Sequence, residues 1–277
     1  MRKYQSIYCI FDKNTISSGF IEYVFFVLPM LSKNKLKELR FFQHKKHRDV
    51  HDVFVVEGAK SVCEVLKSDW QIVTLVALEN RIQQYVSELS SDICFSATSE
   101  QLSNLSLLQT PPDVWAVVKR KKVESTTFSP VTLVLDGIRN PGNMGTILRI
   151  MDWFGYSHIM CSHDYVDVFN PKVVQASMGA ILRIQVSYVH LPSFLSKATV
   201  PIFAACMQGN NIYTESLPHK AYVVLGNEGN GISDEVLQYV STRIAIPPGG
   251  ESSGAESLNV SVAAGIICSE FFRVNFK

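Results

Sequence analysis

From Val131 onwards the chain alternates short apolar strands with helical stretches, and this rhythm constrains its fold more than any other feature. "VTLVLD" at Val131–Asp136 reads as a buried strand, "MGTILRIMDWF" as a helix closed by Gly155, and "HIMC" as a second strand. "NPKVVQASMGA" is helical, with Pro171 suited to the first turn, where the missing N–H is not needed. "PIFAAC" and "YVVLGNE" are further strands, and "SDEVLQYV" reads as a helix with Ser233 as its N-cap and acidic residues in its first turn. "RIAIPP" is a last strand and "LNVSVAAGIICSEFF" a final, largely apolar helix. Continuous apolar strands separated by helices predict an α/β domain with a parallel sheet covered on both faces.

In such a sheet, ligands bind beyond the carboxyl ends of the strands. Three glycine-containing turns fall there: "DGIRNPGNMG", "GNEGNG" and "PPGGESSGAES". None is a P-loop, because no Gly-Lys-Ser/Thr follows, and Gly226, Gly229 and Gly231 do not have the G-x-G-x-x-G spacing. Singly, each reads as an ordinary connection between a strand and a helix.

Taken together, "NPGNMGTILR", "VVLGNEGNGIS" and "IP…ESLNVSVAAGI" resemble, in order and type, the three motifs of the SpoU/TrmH-type RNA 2′-O-ribose methyltransferases. The resemblance covers roughly Val131 to Arg273, over half the chain. It implies a SPOUT-type, trefoil-knotted parallel-sheet catalytic domain that uses S-adenosylmethionine and forms a homodimer through the knotted domain. It also implies roles: Asn143, Arg149, Glu228, Ser257 and Asn259 as the catalytic set, and Leu225, Gly226, Asn227, Gly231, Ile246 and Leu258 as the grip on the cofactor, largely through backbone groups. The residue types suit the reaction. Glycine lets backbone groups approach an adenosine closely, and Asn and Ser give neutral hydrogen bonds beside a cationic sulfonium. The family assigns the arginine a part in activating the 2′-hydroxyl. A guanidinium is essentially never deprotonated, so Arg149 is better suited to gripping an RNA phosphate and stabilising a developing alkoxide. The plainer reading pairs Arg149 with Asp152 on a solvated helix face. One stretch departs from the family pattern: "PGGESSGA" is longer and richer in glycine, and is expected to lengthen a loop over the cofactor.

Upstream, "VFVVEG" reads as a strand ending at a glycine, "AKSVCEVLKS" as a helix, and "IVTLVAL" and "DVWAVV" as strands. The region around "FVVEGAKSVCEVL" resembles the small ribosomal-protein L30-like α/β RNA-binding domain that often precedes this catalytic domain. The resulting division is 1–29 as an extension, possible outside the fold or as an added strand; 30–118 as the RNA-binding domain; 119–130 as a linker; and 131–277 as the catalytic domain. Met30 precedes "LSKNKLKEL", which reads as an ordinary protein start.

Net charge is only +1, yet the cations are uneven. Lys33, Lys35, Lys37, Arg40, Lys45, Lys46 and Arg48 crowd one segment and Lys119 to Lys122 another. A polyanionic partner is expected, with Lys45, Lys46, Arg48, Arg120 and Lys121 on RNA phosphates. Ribosomal RNA is favoured over transfer RNA by the two-domain layout, and single-stranded or loop RNA over duplex. His44, His47 and His51 share a face at helical spacing, but a metal is not expected there. The six cysteines form no CxxC pair, so reduced thiols in a cytosolic compartment are expected rather than zinc. No apolar run reaches the roughly 20 residues of a membrane span, and the N-terminus lacks a secretory signal's apolar core. Ser177 lacks the flanking glycine of a nucleophile elbow and reads as structural. Two other readings stay open: an RNA-binding or ribosome-assembly protein that keeps the fold without the chemistry, and an enzyme that methylates a base nitrogen.

Overall fold

The computed structural model describes residues 7–10, 24–86, 88–121, 129–249 and 257–275. They fall into two compact units that divide between Lys121 and Lys122.

In the first unit, β1 (Ile7–Ile10) and β2 (Val24–Val27) form an antiparallel pair, and among the described strands they pair only with each other. The rest of the expected extension up to residue 23 lies outside the described residues. Its end does not: Leu28 is buried, Ser96 N donates to the Pro29 carbonyl (3.1 Å), and Leu31 N donates to the Ser96 carbonyl (2.8 Å). Then follow α1 (Lys33–Arg40), a 3-10 turn at Phe41–Gln43, α2 (Lys45–His51), β3 (Val53–Glu57), α3 (Ala59–Leu66), β4 (Ile72–Leu78) and α4 (Gln83–Val86). After these come β5 (Cys94–Ala97), α5 (Ser99–Leu105) and β6 (Val114–Lys119). The sheet order is β3-β6-β4-β5, with only β4 and β5 parallel. Leu31, Leu39, Val55, Val76, Leu102 and Trp115 meet in the core on one side of it. Helix α5 is held by a reciprocal cap: Thr98 Oγ1 accepts from Gln101 N (3.2 Å) while Gln101 Oε1 accepts from Thr98 N (3.0 Å).

The basic segment corrects one expectation. Arg48 does not face an RNA; it is buried, and its guanidinium donates to the carbonyls of Phe42 (3.1 Å) and Gln43 (2.8 Å). The reason is the 3-10 turn between α1 and α2, which resets the helical phase and leaves carbonyls that need donors. Lys45 and Arg120 both pair with Asp49, at 2.5 and 2.7 Å, and Lys121 pairs with Asp69. Lys46 is exposed and, among the described residues, has no such partner. Most of the expected linker, residues 122–128, lies outside the described residues.

The second unit comprises β7 (Val131–Asp136), α6 (Pro141–Trp153), β8 (His158–Cys161), α7 (Pro171–Ser177), β9 (Gln185–Tyr188) and α8 (Leu191–Leu195). It continues with β10 (Ile202–Asn211), β11 (Ala221–Gly226), α9 (Asp234–Leu237), β12 (Thr242–Ala245) and α10 (Val260–Asn275). Its sheet order is β12-β10-β11-β7-β8-β9, and every pairing is parallel. The central strands β7 and β11 run in unbroken register from Val131–Ala221 to Asp136–Gly226. Leu133, Val134, Leu135, Val223, Val224 and Leu225 are all buried, which is why both strands read as continuous apolar runs. Each such side chain contributes about 1.5–3 kcal/mol on burial.

Helix α6 begins three residues earlier than its apolar pattern predicts. Asn140 is its cap, with Oδ1 accepting from Gly142 N at 2.8 Å, and Pro141 occupies the first turn. Asn143 therefore sits inside the helix, not in the turn before it. Helix α7 stops at Ser177 because Met178 adopts a left-handed conformation (φ 49°). The Ser177 hydroxyl donates to the Val174 carbonyl at 2.7 Å, a structural role. Gly145 lets α6 and α7 touch: a Cβ there would lie 2.4 Å from Ala176 Cβ. Among the described residues, no helix is long and apolar enough to cross a membrane.

Candidate active site at the ends of three parallel strands

The carboxyl ends of β7 and β11 are tied by polar side chains. Asp136, the last residue of β7, accepts from both the backbone N and the Oγ of Ser233, each at 2.8 Å. Ser233 thus precedes α9 as expected, but its hydroxyl serves β7 in place of the helix end. Asn227, which follows β11, donates from Nδ2 to the Gly137 carbonyl (2.7 Å), while its Oδ1 accepts from Gly229 N (2.9 Å) and Asn230 N (3.1 Å). Asn227 and Gly231 also exchange two backbone bonds of 2.9 Å, closing the "GNEGNG" turn on itself. Gly226 must be glycine for this closure. A Cβ there would lie 2.3 Å from the Gly231 carbonyl carbon and 2.5 Å from Ile232 N. The requirement comes from the turn's own backbone, and Gly231 opposite it has a left-handed φ of 71°.

Across these turns runs a directed chain of side-chain hydrogen bonds. Ser261 N (2.9 Å) and Ser261 Oγ (2.6 Å) donate to Asn259 Oδ1. A backbone N–H can only donate, so that atom of Asn259 must be oxygen and its Nδ2 is free to donate. Asn259 Nδ2 donates to Asn143 Oδ1 at 3.0 Å, which in turn leaves Asn143 Nδ2 to donate to Glu228 Oε1. Each link fixes the orientation of the next, and Glu228 ends the chain as an acceptor. Asn143 is buried, whereas Glu228 and Asn259 are exposed towards solvent. The chain joins α6, the turn after β11 and the start of α10, so three distant segments meet in one place.

Of the expected catalytic set, the structure brings together Asn143, Glu228 and Asn259. Arg149 lies almost two turns further along α6, exposed, with no hydrogen-bond or ion-pair partner among the described residues. Asp152 is not its partner: Arg183 grips that carboxylate with Nε (2.8 Å) and Nη2 (2.9 Å). Ser257 and Leu258 are also exposed, beside Asn259. Of the expected cofactor residues, Leu225 is buried in the sheet and offers only its backbone, while Gly226, Asn227 and Ile246 are partly exposed at strand ends. The expected long loop is mostly outside the described residues, at 250–256. Ser261, Asn140 and Asp136 were not singled out by sequence, and Ser233 only as a helix cap. The "NVS" spacing in "LNVSV", where an Asn side chain can accept from a backbone N–H two residues on, is the signal that finds Ser261.

The donor set suits an adenosine carrying a sulfonium. The segments 225–231, 246–249 and 257–259 hold backbone groups, amides, apolar Ile246 and Leu258, one carboxylate and no lysine or arginine. Arg139, in the neighbouring turn, is drawn to Asp164 at 3.3 Å. A cationic ligand meets no positive charge on these loops. Among the described residues, no group of three or more His, Cys, Asp or Glu is placed to hold a metal ion. His47 stacks on Phe41, and His51 meets Phe42 edge-on.

Fold and donor set together are those of a methyltransferase that draws on S-adenosylmethionine and acts on RNA. Residues 130–269 match the SpoU rRNA Methylase family, and residues 33–116 match the MRM3-like substrate binding domain. The chain belongs to the SpoU rRNA methylase family. It is 30% identical over 239 residues to the 23S rRNA (guanosine(2553)-2′-O)-methyltransferase RlmP of Bacillus subtilis, spanning 84% of this chain and 94% of that one. Among solved structures, it is 37% identical to a TrmH-family protein from Porphyromonas gingivalis, with a TM-score of 0.79, covering 88% of this chain and 99% of the other. An AdoMet-bound rRNA methyltransferase from Sinorhizobium meliloti is 26% identical with a TM-score of 0.78, covering 89% and 97%.

Proposed function

We propose that the protein transfers the methyl group of S-adenosylmethionine to a ribose 2′-hydroxyl of ribosomal RNA. The observation that carries this reading is the Ser261–Asn259–Asn143–Glu228 hydrogen-bond chain, which draws the three motif segments into one preoriented polar site. The relative in Bacillus subtilis, matched over 94% of its length, supports ribosomal RNA as the substrate.

When bound, S-adenosylmethionine supplies an electrophilic methyl group on a cationic sulfur. The chain's own residues hold and orient. The backbone of Leu225, Gly226, Asn227 and Gly231 lines the adenosine, with the Asn227 and Gly231 carbonyls each able to accept a second bond, and Ile246 and Leu258 cover its faces. Asn143, locked between Asn259 and Glu228, presents a fixed dipole to the reacting groups. Ser257 lies beside Asn259, where it can hydrogen-bond the ribose. Arg149 grips a phosphate of the substrate through its fork of donors and stabilises the oxygen as its proton leaves to solvent.

The domain roles follow the same reading: 30–118 binds substrate RNA, 119–130 links, and 131–277 is the knotted catalytic domain, acting in the cytoplasm. The protein works as a homodimer through that domain. Support for the dimer is the apolar surface left on α6 and α10, where Trp153 is 85% exposed and Val262 50% exposed.

The test is incubation with methyl-labelled S-adenosylmethionine and ribosomal RNA lacking the modification, followed by alkaline digestion. A 2′-O-methyl group blocks cleavage at its own phosphodiester, so label is expected in alkali-resistant dinucleotides. Label on a base nitrogen would reject the reading. Arg149→Lys is expected to lose about a hundredfold in turnover while its cofactor affinity, read by calorimetry, stays unchanged.

A further inference from the structure

The two phenylalanines that follow α1 point in opposite directions. Phe42 packs against the core of the first unit, whereas Phe41 is 45% exposed. The Phe41 ring is not loose: it stacks on His47 with centroids 4.9 Å apart and planes 26° from parallel. His44 adds a third ring, 6.4 Å from His47. Lys33, Lys37 and Phe41 follow one another at intervals of four, so they line one side of α1 and its 3-10 continuation. Arg40 and Lys46 flank the rings in sequence. Lys33, Lys37, Arg40 and Lys46 are exposed and, among the described residues, have no ion-pair or hydrogen-bond partner. The acids nearby are already engaged, Glu38 with Lys35 (2.8 Å) and Asp49 with Lys45 and Arg120.

A preoriented ring pair with Phe41 exposed and His47 partly so, close in sequence to uncompensated cations, suits a ligand with both π-faces and negative charge. An apolar protein partner would instead need a contiguous greasy patch, which these lysines interrupt. Single-stranded nucleic acid has the matching chemistry: its bases stack on aromatic and histidine rings while its phosphates meet the surrounding cations. We propose that Phe41 and His47 form a stacking platform for an unpaired base of the substrate RNA, with Lys33, Lys37, Arg40 and Lys46 on the adjoining phosphates. The platform rests on the reading of the protein as an RNA methyltransferase and adds a substrate preference to it: an RNA that carries an unpaired segment. A paired helix buries its base faces in its own stack and cannot use the platform.

The full-length chain can be titrated, by fluorescence anisotropy, with a labelled RNA hairpin carrying an open loop and with a blunt duplex of equal length. Phe41→Ala and His47→Ala are expected to weaken hairpin binding by about tenfold and to leave duplex binding, melting temperature and cofactor affinity unchanged. Phe41→Trp keeps a stacking face and is expected to retain hairpin affinity, while Lys37→Ala should weaken both RNAs and flatten the salt dependence. An equal loss on hairpin and duplex, or no loss on the hairpin, would overturn the platform. Methyl incorporation separates the two readings. If the wild type methylates ribose and Phe41→Ala binds the hairpin as well as wild type does, the platform is wrong and the enzyme reading stands. If loop preference disappears with Phe41 but no ribose is methylated, the platform stands and the enzyme reading fails.

Discussion

Removing the Asn143 carboxamide would leave the Asn259 amide without its acceptor and the Glu228 carboxylate without its donor. Asn143→Ala is therefore expected to lower methyl incorporation by about a hundredfold, with the fold retained by circular dichroism. Asn143→Asp should be worse, because it sets one carboxylate against another where only a donor fits. Elsewhere, Glu57 gives a pH signature. Burial holds its carboxyl above the usual range, although Ser106 Oγ and the Leu107 backbone donate to it. The native protein thus binds this proton more tightly than the unfolded chain does, so the stabilisation is complete below the unfolded carboxyl's range and is lost as pH rises through the folded value. Glu57→Gln keeps an acceptor for Ser106 and is expected to raise the melting temperature at neutral pH, with the gain vanishing in mild acid.

Elements meet where small residues allow it. Gly145→Ala would place a methyl 2.4 Å from Ala176 Cβ and 2.9 Å from the Ser177 backbone N. Helix α6 must then shift from α7, and a destabilisation of about 1–3 kcal/mol is expected in thermal or urea melts, with activity falling because α6 carries Asn143. At this scale the sequence was most readable where burial is two-sided. The apolar runs β7, β11, β4 and β6 are visible directly, as is α6 from its helical spacing. Strand β9, "QVSY", has no buried residue and sits at a sheet edge, so its alternating Val186 and Tyr188 give only a short strand signal without an apolar run. Strand β10 runs on to Asn211 past its apolar start, because it pairs with β12 a second time after a register shift. The burial of Arg48 was unreadable for a different reason. Which cation of a basic run turns inward depends on the phase reset by the 3-10 turn, and spacing alone assumes a continuous helix. In the site, the residue types of the motifs were legible through their family pattern. The direction of the hydrogen bonds was not, since it depends on amide orientations relayed between positions 116 apart in sequence.

For the molecule as a whole, the alternation of strand and helix from Val131 was enough to define a parallel sheet, and its carboxyl ends were the right place to seek a site. The proposed homodimer makes a distinct prediction. Trp153 projects from α6 one turn beyond Arg149, so Trp153→Asp, with Val262→Asp as an independent probe on α10, is expected to convert a dimer to a monomer in light scattering. A monomeric wild type would remove the proposal. The hydrogen-bond chain also has a temporal consequence. Its source, Ser261, and its second member, Asn259, belong to the opening of α10, whereas Asn143 and Glu228 are laid down far earlier. While the polypeptide is still being synthesised, Asn143 has Glu228 on one side but no Asn259 on the other, and the strand-end turns exist without their clasp. Catalytic competence thus arrives in a single step, when α10 docks, and a nascent chain that has not yet produced that helix can hold the sheet but not the working site.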